Sequence, residues 1–131
     1  MKFKILFEEF NNNGNLLLPH SSINFSDIPW SKHPSCEGVA LKHLITSIHT
    51  NSEFSYHLVK IDPNKKINIH THKEQLETHE VISGNGICIY DNVQIGYKPG
   101  VITILPKNTP HEVVAGVNGL YLFAKFIPAL I

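Results

Sequence analysis

Cysteine is scarce in this chain, with two among 131 residues. Cys36 and Cys88 lie far apart and no secretion signal accompanies them, so free thiols in a reducing cytoplasm are expected rather than a disulfide. Net charge is missing too: 11 basic and 11 acidic residues cancel to +0 at pH 7. Summed charge thus gives no reason to expect a nucleic-acid backbone or an anionic membrane as partner. Long apolar runs are absent. The longest, such as Leu16 to Leu18 and Val113 to Val117, fall far short of the roughly 20 residues a helix needs to cross a bilayer. Lys2 and Lys4 precede an apolar patch, but Glu8 and Glu9 follow at once with no small-residue cleavage site, so the start reads as mature sequence. Internal repeats and low-complexity tracts are lacking as well.

What the chain has in excess is histidine, with nine residues. Its length suits one compact domain, which at this size buries enough surface to hold a core without disulfides. Residues 1–37 read as an irregular arm punctuated by Pro19, Pro29 and Pro34, each of which removes a backbone donor. Asn11 to Asn15, around Gly14, reads as a flexible loop.

Residues 38–131 read as the domain proper. Short β-branched and aromatic runs follow one another there: Leu41 to Ile48, Phe54 to Ile61, Ile67 to His72, His79 to Ile82, Ile87 to Tyr90, Val101 to Leu105, Glu112 to Val117 and Leu120 to Phe126. Between them stand Asp62-Pro63-Asn64, Gly84-Asn85-Gly86, Asp91-Asn92, Lys98-Pro99-Gly100 and Val117-Asn118-Gly119, each suited to a tight reversal. Thr71 to Glu80 holds helix-friendly residues, yet a helix that short is marginal, and a loop feeding a strand is the better reading. No long amphipathic helix is foreseen, so the strands must bury one another in a sandwich, jelly roll or barrel.

Chemistry concentrates in the segment from Ile69 to Gly84. Residues two apart on a strand share a face, so His70 and His72 can present both imidazoles to one ion. Glu77 follows far enough along for the chain to turn and bring a carboxylate back toward them. These three would form a facial ligand set.

The same segment resembles the first motif of the cupin family: Gly, five residues, His-x-His, three or four residues, Glu, six residues, Gly. Here His70, His72, Glu77 and Gly84 fall in place, with Asn64 where the leading glycine stands. Asparagine tolerates left-handed backbone better than most residues, so the turn can survive. The second cupin motif, Gly, five residues, Pro-x-Gly, two residues, His, three residues, Asn, is met by Gly100, Pro106 and His111. Asn108 replaces its second glycine and Ala115 its final asparagine.

The resemblance implies an all-β double-stranded β-helix, a jelly roll or cupin barrel, with a metal inside one end. It implies His70, His72, Glu77 and His111 as ligands to one divalent transition metal, whether Fe, Mn, Zn, Ni, Co or Cu. Three imidazoles and one carboxylate on an octahedral ion leave two positions open, whereas structural zinc sites are closed and usually rely on cysteine. The function expected is a small metalloenzyme acting on an oxygen-rich substrate, such as a dioxygenase, isomerase or lyase. The alternative is a non-catalytic module that senses a small ligand or metal, and a storage barrel is a third reading.

Other residues divide between functional and bland readings. His79 shares the inward face of Glu77, either as a proton shuttle and supporting partner or as a core histidine. His57 alternates inward with Val59 and Ile61 and is a second candidate for moving protons. His43 reads as core, while His20, His33 and His49 read as solvated. Lys125 either reaches the cavity or lies along the surface, the latter being the ordinary case. Cys88 reads as a buried thiol, and Trp30 and the apolar end from Phe126 to Ile131 as packing. Cupins commonly pair, so a homodimer is expected, with a small molecule rather than nucleic acid or membrane as ligand.

Overall fold

A computed structural model describes residues 2–131. In chain order the elements are helix α1 (Lys2–Asn13), β1 (Asn15–Leu18), β2 (Ser21–Asn24), a 3-10 turn (Phe25–Asp27), β3 (Ser31–Lys32), β4 (Val39–Ile45), α2 (Ser47–Thr50), β5 (Ser55–Ile61), β6 (Lys66–His70), β7 (Leu76–Tyr90), β8 (Val93–Tyr97), β9 (Ile102–Leu105) and β10 (His111–Ile127). Two strands, β7 and β10, are long enough to serve both layers of the barrel. The first part of β10 pairs with β6 and with the end of β7; its second part pairs with β5 and the beginning of β7. Strands β8 and β9 extend the two layers along β7, and β3 and β4 continue outward from β5. The result is the expected all-β jelly roll.

Two turns foreseen in the sequence become bends instead. Gly84-Asn85-Gly86 lies within β7 and Val117-Asn118-Gly119 within β10, where the register shifts between Ala115 and Leu120. Gly84 and Gly119 have φ of +80° and +78° and meet across the ladder, so their positive angles open bulges without reversing the chain. A β-carbon added to Gly84 would sit 2.1 Å from the Gly119 carbonyl oxygen. Left-handed strain and overpacking against fixed backbone together predict that Gly84→Ala costs about 3 kcal/mol or more. Urea denaturation checks this, and a loss below about 1 kcal/mol would show that the bend can relax.

Other reversals fall where expected. Asn64 and Asn108 adopt positive φ of 62° and 63°, so asparagine does serve at both positions where the motifs have glycine. Asp91 and Asn92, both with positive φ, close the hairpin between β7 and β8. Strand β8 itself lies outside the runs read from the sequence. Leu41 to Ile48 is shortened: β4 stops at Ile45, and Ser47–Thr50 forms a short helix in which His49 completes a capping box with Thr46.

The arm is more ordered than its prolines suggest. Asn11 to Asn13 end α1, and the expected flexible loop is reduced to Gly14, whose amide still bonds the Phe10 carbonyl. Phe7 and Phe10 lie three apart on one helical face and pack with Phe25 on the outer side of the barrel, against Leu44, Leu58, Ile82, Tyr121 and Phe123. That burial outweighs the weak helix propensity of three asparagines. Lys42, buried on this outer face, donates to the Asn11 side chain and, at 2.7 Å, to the Phe25 carbonyl, which ties the arm down. The inner faces of the strands form the other cluster, including Val59, Ile61, Val81, Val113, Leu120, Leu122 and Phe126. Strands covered on both faces explain the nearly continuous apolar run from Leu120 to Phe126. No described helix is long and apolar enough to cross a membrane.

Candidate metal centre

Both layers of the barrel contribute to one end of its interior. His111 opens β10 directly across from His70, the last residue of β6. His72 follows in the loop, and Glu77 is the second residue of β7. The loop-then-strand reading of Thr71 to Glu80 is what brings the carboxylate back to the imidazoles. Ligand atoms from His70, His72, Glu77 and His111 all lie within 4.8 Å of one another. Ring centroids of His70 and His111 are 4.3 Å apart, and those of His70 and His72 are 4.9 Å apart.

Hydrogen bonds outside this cluster fix which atoms face its centre. His70 Nδ1 lies 2.8 Å from the Asn68 carbonyl and His111 Nδ1 lies 3.1 Å from the Thr109 carbonyl. A carbonyl only accepts, so each Nδ1 carries a proton, which in the neutral ring leaves Nε2 its lone pair for a metal. His79 Nε2 donates to Glu77 Oε2 at 2.7 Å, and the Tyr97 hydroxyl lies 2.8 Å from His79 Nδ1. That occupies Oε2 and leaves Oε1 free. Oε1 stands 3.1 Å from His111 Nε2 and 3.6 Å from His72 Nε2. Neither Glu77 Oε1 nor His111 Nε2, both buried, forms a hydrogen bond.

Two orphaned polar atoms side by side are costly in a protein interior. A cation coordinated by both would satisfy them, and donors of imidazole and carboxylate type suit a divalent transition metal. The residues therefore fit such an ion. The protonation states of Glu77, His70 and His72 suit it as well. Burial pushes the Glu77 carboxyl up, but the His79 and His111 imidazoles more than reverse this and hold it well below the usual carboxylate range. Burial lowers His70 and His72, keeping their lone pairs available. Burial would lower His111 also, but its contact with Glu77 raises it, so metal would have to displace that proton.

His79 sits behind Glu77 and reaches the cluster through it. Removing such a partner typically weakens metal binding 10- to 100-fold. His79→Leu is expected to do the same by leaving Oε2 unpartnered, as competition against a chelator would measure; unchanged affinity would deny His79 the supporting role.

A cavity of about 290 Å³ opens beside the cluster. His57, expected to face it, has 0% exposure and does not line it. Its ring bonds His43 Nδ1 at 2.8 Å on one side and Ser55 Oγ at 2.8 Å on the other. His57 thus stands behind His43, which does line the cavity. His33 also departs from its solvated reading and lines the same space. Period-two alternation with Leu41 could have revealed His43; nothing local in the sequence marks His33. Lys125 lies on the opposite strand face, over the Phe54 ring, and Leu130 and Ile131 form part of the cavity wall rather than plain packing. Cys36 and Cys88 are free and buried, and burial raises the Cys88 thiol, so it is no activated nucleophile.

Residues 57–119 match the family model described as Cupin domain. This segment, just under half of the chain, is a cupin domain. Solved structures agree with that fold. The chain resembles a predicted oxalate decarboxylase from Thermotoga maritima, at 18% identity and a TM-score of 0.72, over 79% of this chain and 95% of that one. It resembles an RmlC-like cupin from Shewanella frigidimarina at 19% identity and TM-score 0.71, covering 86% and 94%. The polyketide cyclase RemF from Streptomyces resistomycificus matches at 18% identity and TM-score 0.69, covering 81% and 77%. No curated protein matches the sequence.

Proposed function

We propose that this cupin is a small metalloenzyme that holds one divalent transition metal through His70, His72, Glu77 and His111 and acts on an oxygen-bearing small molecule in the adjoining cavity. The observation that carries the reading is the pair of buried, unpartnered atoms, Glu77 Oε1 and His111 Nε2, converging beside an open cavity. Bound metal would supply Lewis acidity or oxygen activation at the substrate's carboxylate, hydroxyl or enol oxygens. Glu77 is fixed by His79, which is fixed in turn by Tyr97, so the carboxylate is held ready before any ion arrives. His79 is the proton carrier nearest that carboxylate, and His43, backed by His57, is the group through which a proton could move at the cavity wall. A predicted oxalate decarboxylase and a polyketide cyclase among the proteins that share its fold are in keeping with a reaction of the lyase or cyclisation kind.

Metal analysis of the purified cupin, followed by oxygen uptake and mass-spectrometric product detection with small hydroxy and 2-oxo acids, tests the proposal. Metal near one equivalent and turnover of any such acid would support it. Thermal stabilisation by an acid with no product would favour the sensing role instead, and a protein that takes up no metal after reconstitution would end both readings.

A further inference from the structure

Away from the metal ligands the cavity wall is mainly alkyl and aromatic, with Leu41, Val59, Ile67, Val113, Leu122 and Phe126 facing it. A polyhydroxylated ligand would press most of its hydroxyls against hydrocarbon, at a desolvation cost for each. The chain contains no arginine, so no guanidinium fork is available for a ligand carboxylate. His79, committed to Glu77 and Tyr97, also lines the cavity, and two further imidazoles, His33 and His43, interrupt the wall beside Ser31 and Lys32.

Their tautomers follow from what holds them. His33 Nδ1 lies 3.2 Å and 3.1 Å from the amide nitrogens of Ser35 and Cys36. An amide N–H only donates, so Nδ1 accepts and the neutral ring carries its proton on Nε2. His43 is set by a longer relay. The Leu130 amide donates to Ser55 Oγ at 2.9 Å, and the one side chain bonded to that buried hydroxyl among the described residues is His57, through Nε2. The hydroxyl proton therefore goes to His57 Nε2, which leaves the His57 proton on Nδ1 to be donated to His43 Nδ1 at 2.8 Å. His43 must then be protonated on Nε2. No protein group bonds that atom among the described residues, it is not one of the fully buried unpartnered atoms, and His43 is among the residues that line the cavity. Reversing the relay would strand the buried serine proton.

We infer that His33 and His43 are the specificity-determining donors of this cupin, presenting two Nε2–H groups to a ligand that joins a metal-chelating oxygen head to an apolar body and a second, remote acceptor oxygen. This rests on the metal-binding reading above. It narrows the ligand from oxygen-rich molecules in general to amphipathic ones such as dicarboxylates or keto acids with a short alkyl span.

Two probes separate these possibilities on the zinc-loaded protein: 2-oxoglutarate and 2-oxopentanoate, which share head and chain length and differ in the distal carboxylate. Calorimetry is expected to show 2-oxoglutarate bound at least about tenfold more tightly, the value of a single hydrogen bond to a charged group. His43→Asn and His33→Asn keep an acceptor oxygen where Nδ1 stood and delete the Nε2 donor, and together should bring the two affinities near parity. A preference that survives both substitutions, or binding of neither probe by protein that holds zinc, overturns the inference while leaving the metal site intact. In the metal-free, unsubstituted protein, long-range proton–nitrogen spectra should show Nε2–H tautomers at His33 and His43 and an Nδ1–H tautomer at His57. An Nδ1–H tautomer at His43 overturns the inference whether or not metal binds.

Discussion

His72→Ala is expected to weaken divalent-metal binding by at least about 100-fold while leaving the barrel folded. Loss of an outer partner alone costs 10- to 100-fold, and this change deletes a coordinating nitrogen outright. His72 lies in the loop between β6 and β7 and keeps 22% of its side chain exposed, so its removal opens little cavity in the core. The thermal midpoint of the metal-free variant should stay close to that of the unsubstituted chain. Only the rise produced by added metal should vanish, because a ligand that binds the folded state alone stabilises it in proportion to its affinity. Isothermal titration with Zn²⁺ or Co²⁺ and parallel melting curves read both quantities. Undiminished affinity in the variant would remove His72 from the ligand set, and collapse of the metal-free fold would mean that the residue is structural.

The second large effect concerns pH and the buried imidazole pair. Burial, reinforced by the neighbouring His43, holds His57 down to about 4, against 6.5 for an unperturbed ring. A proton added to His57 would have to enter a site with no exposure and face a second ring nitrogen 2.8 Å away. Between pH 6.5 and 4 the unfolded chain thus binds more protons at this position than the folded one, so stability falls as pH falls through that window. The full shift corresponds to about 3 kcal/mol. Burial lowers His43, His70 and His72 in the same direction, whereas His111 is raised and opposes them. Comparing urea unfolding of the metal-free protein and of His57→Gln from pH 7 to pH 4 isolates the pair. The variant should show the shallower loss, and parallel curves for the two proteins would mean that His57 is already protonated or readily solvated in the fold.

Much of the site can be read from residue order because its chemistry is local. His70 and His72 flank one residue at the end of a strand, and Glu77 returns after a short loop, so spacing alone suffices to bring them near one ion. His111 is remote, and only the resemblance of the segment from Gly100 to Ala115 to a cupin motif pointed to it; the β6–β10 pairing is what sets it opposite His70. The secondary structure was less legible where glycine and asparagine have two uses. At Asp91-Asn92 positive φ reverses the chain, while at Gly84 and Gly119 it bends two strands that remain paired. Local preference is the same in both cases, and the partner strand decides between them.

The amino-acid order by itself determined the all-β class, the spacing of the four candidate ligands and the tolerance of Asn64 and Asn108 for left-handed backbone, since each depends on side-chain type and near neighbours. Only the tertiary structure decided that the arm folds as a helix against the outer sheet, that Tyr97 and His79 support Glu77, and that His57 is withdrawn behind His43. Those outcomes depend on contacts between residues far apart in sequence, such as Lys42 with Phe25 and Ser55 with Leu130. Their energies exceed the weak local preferences of asparagine, proline and histidine, which is why no reading along the chain could have fixed them.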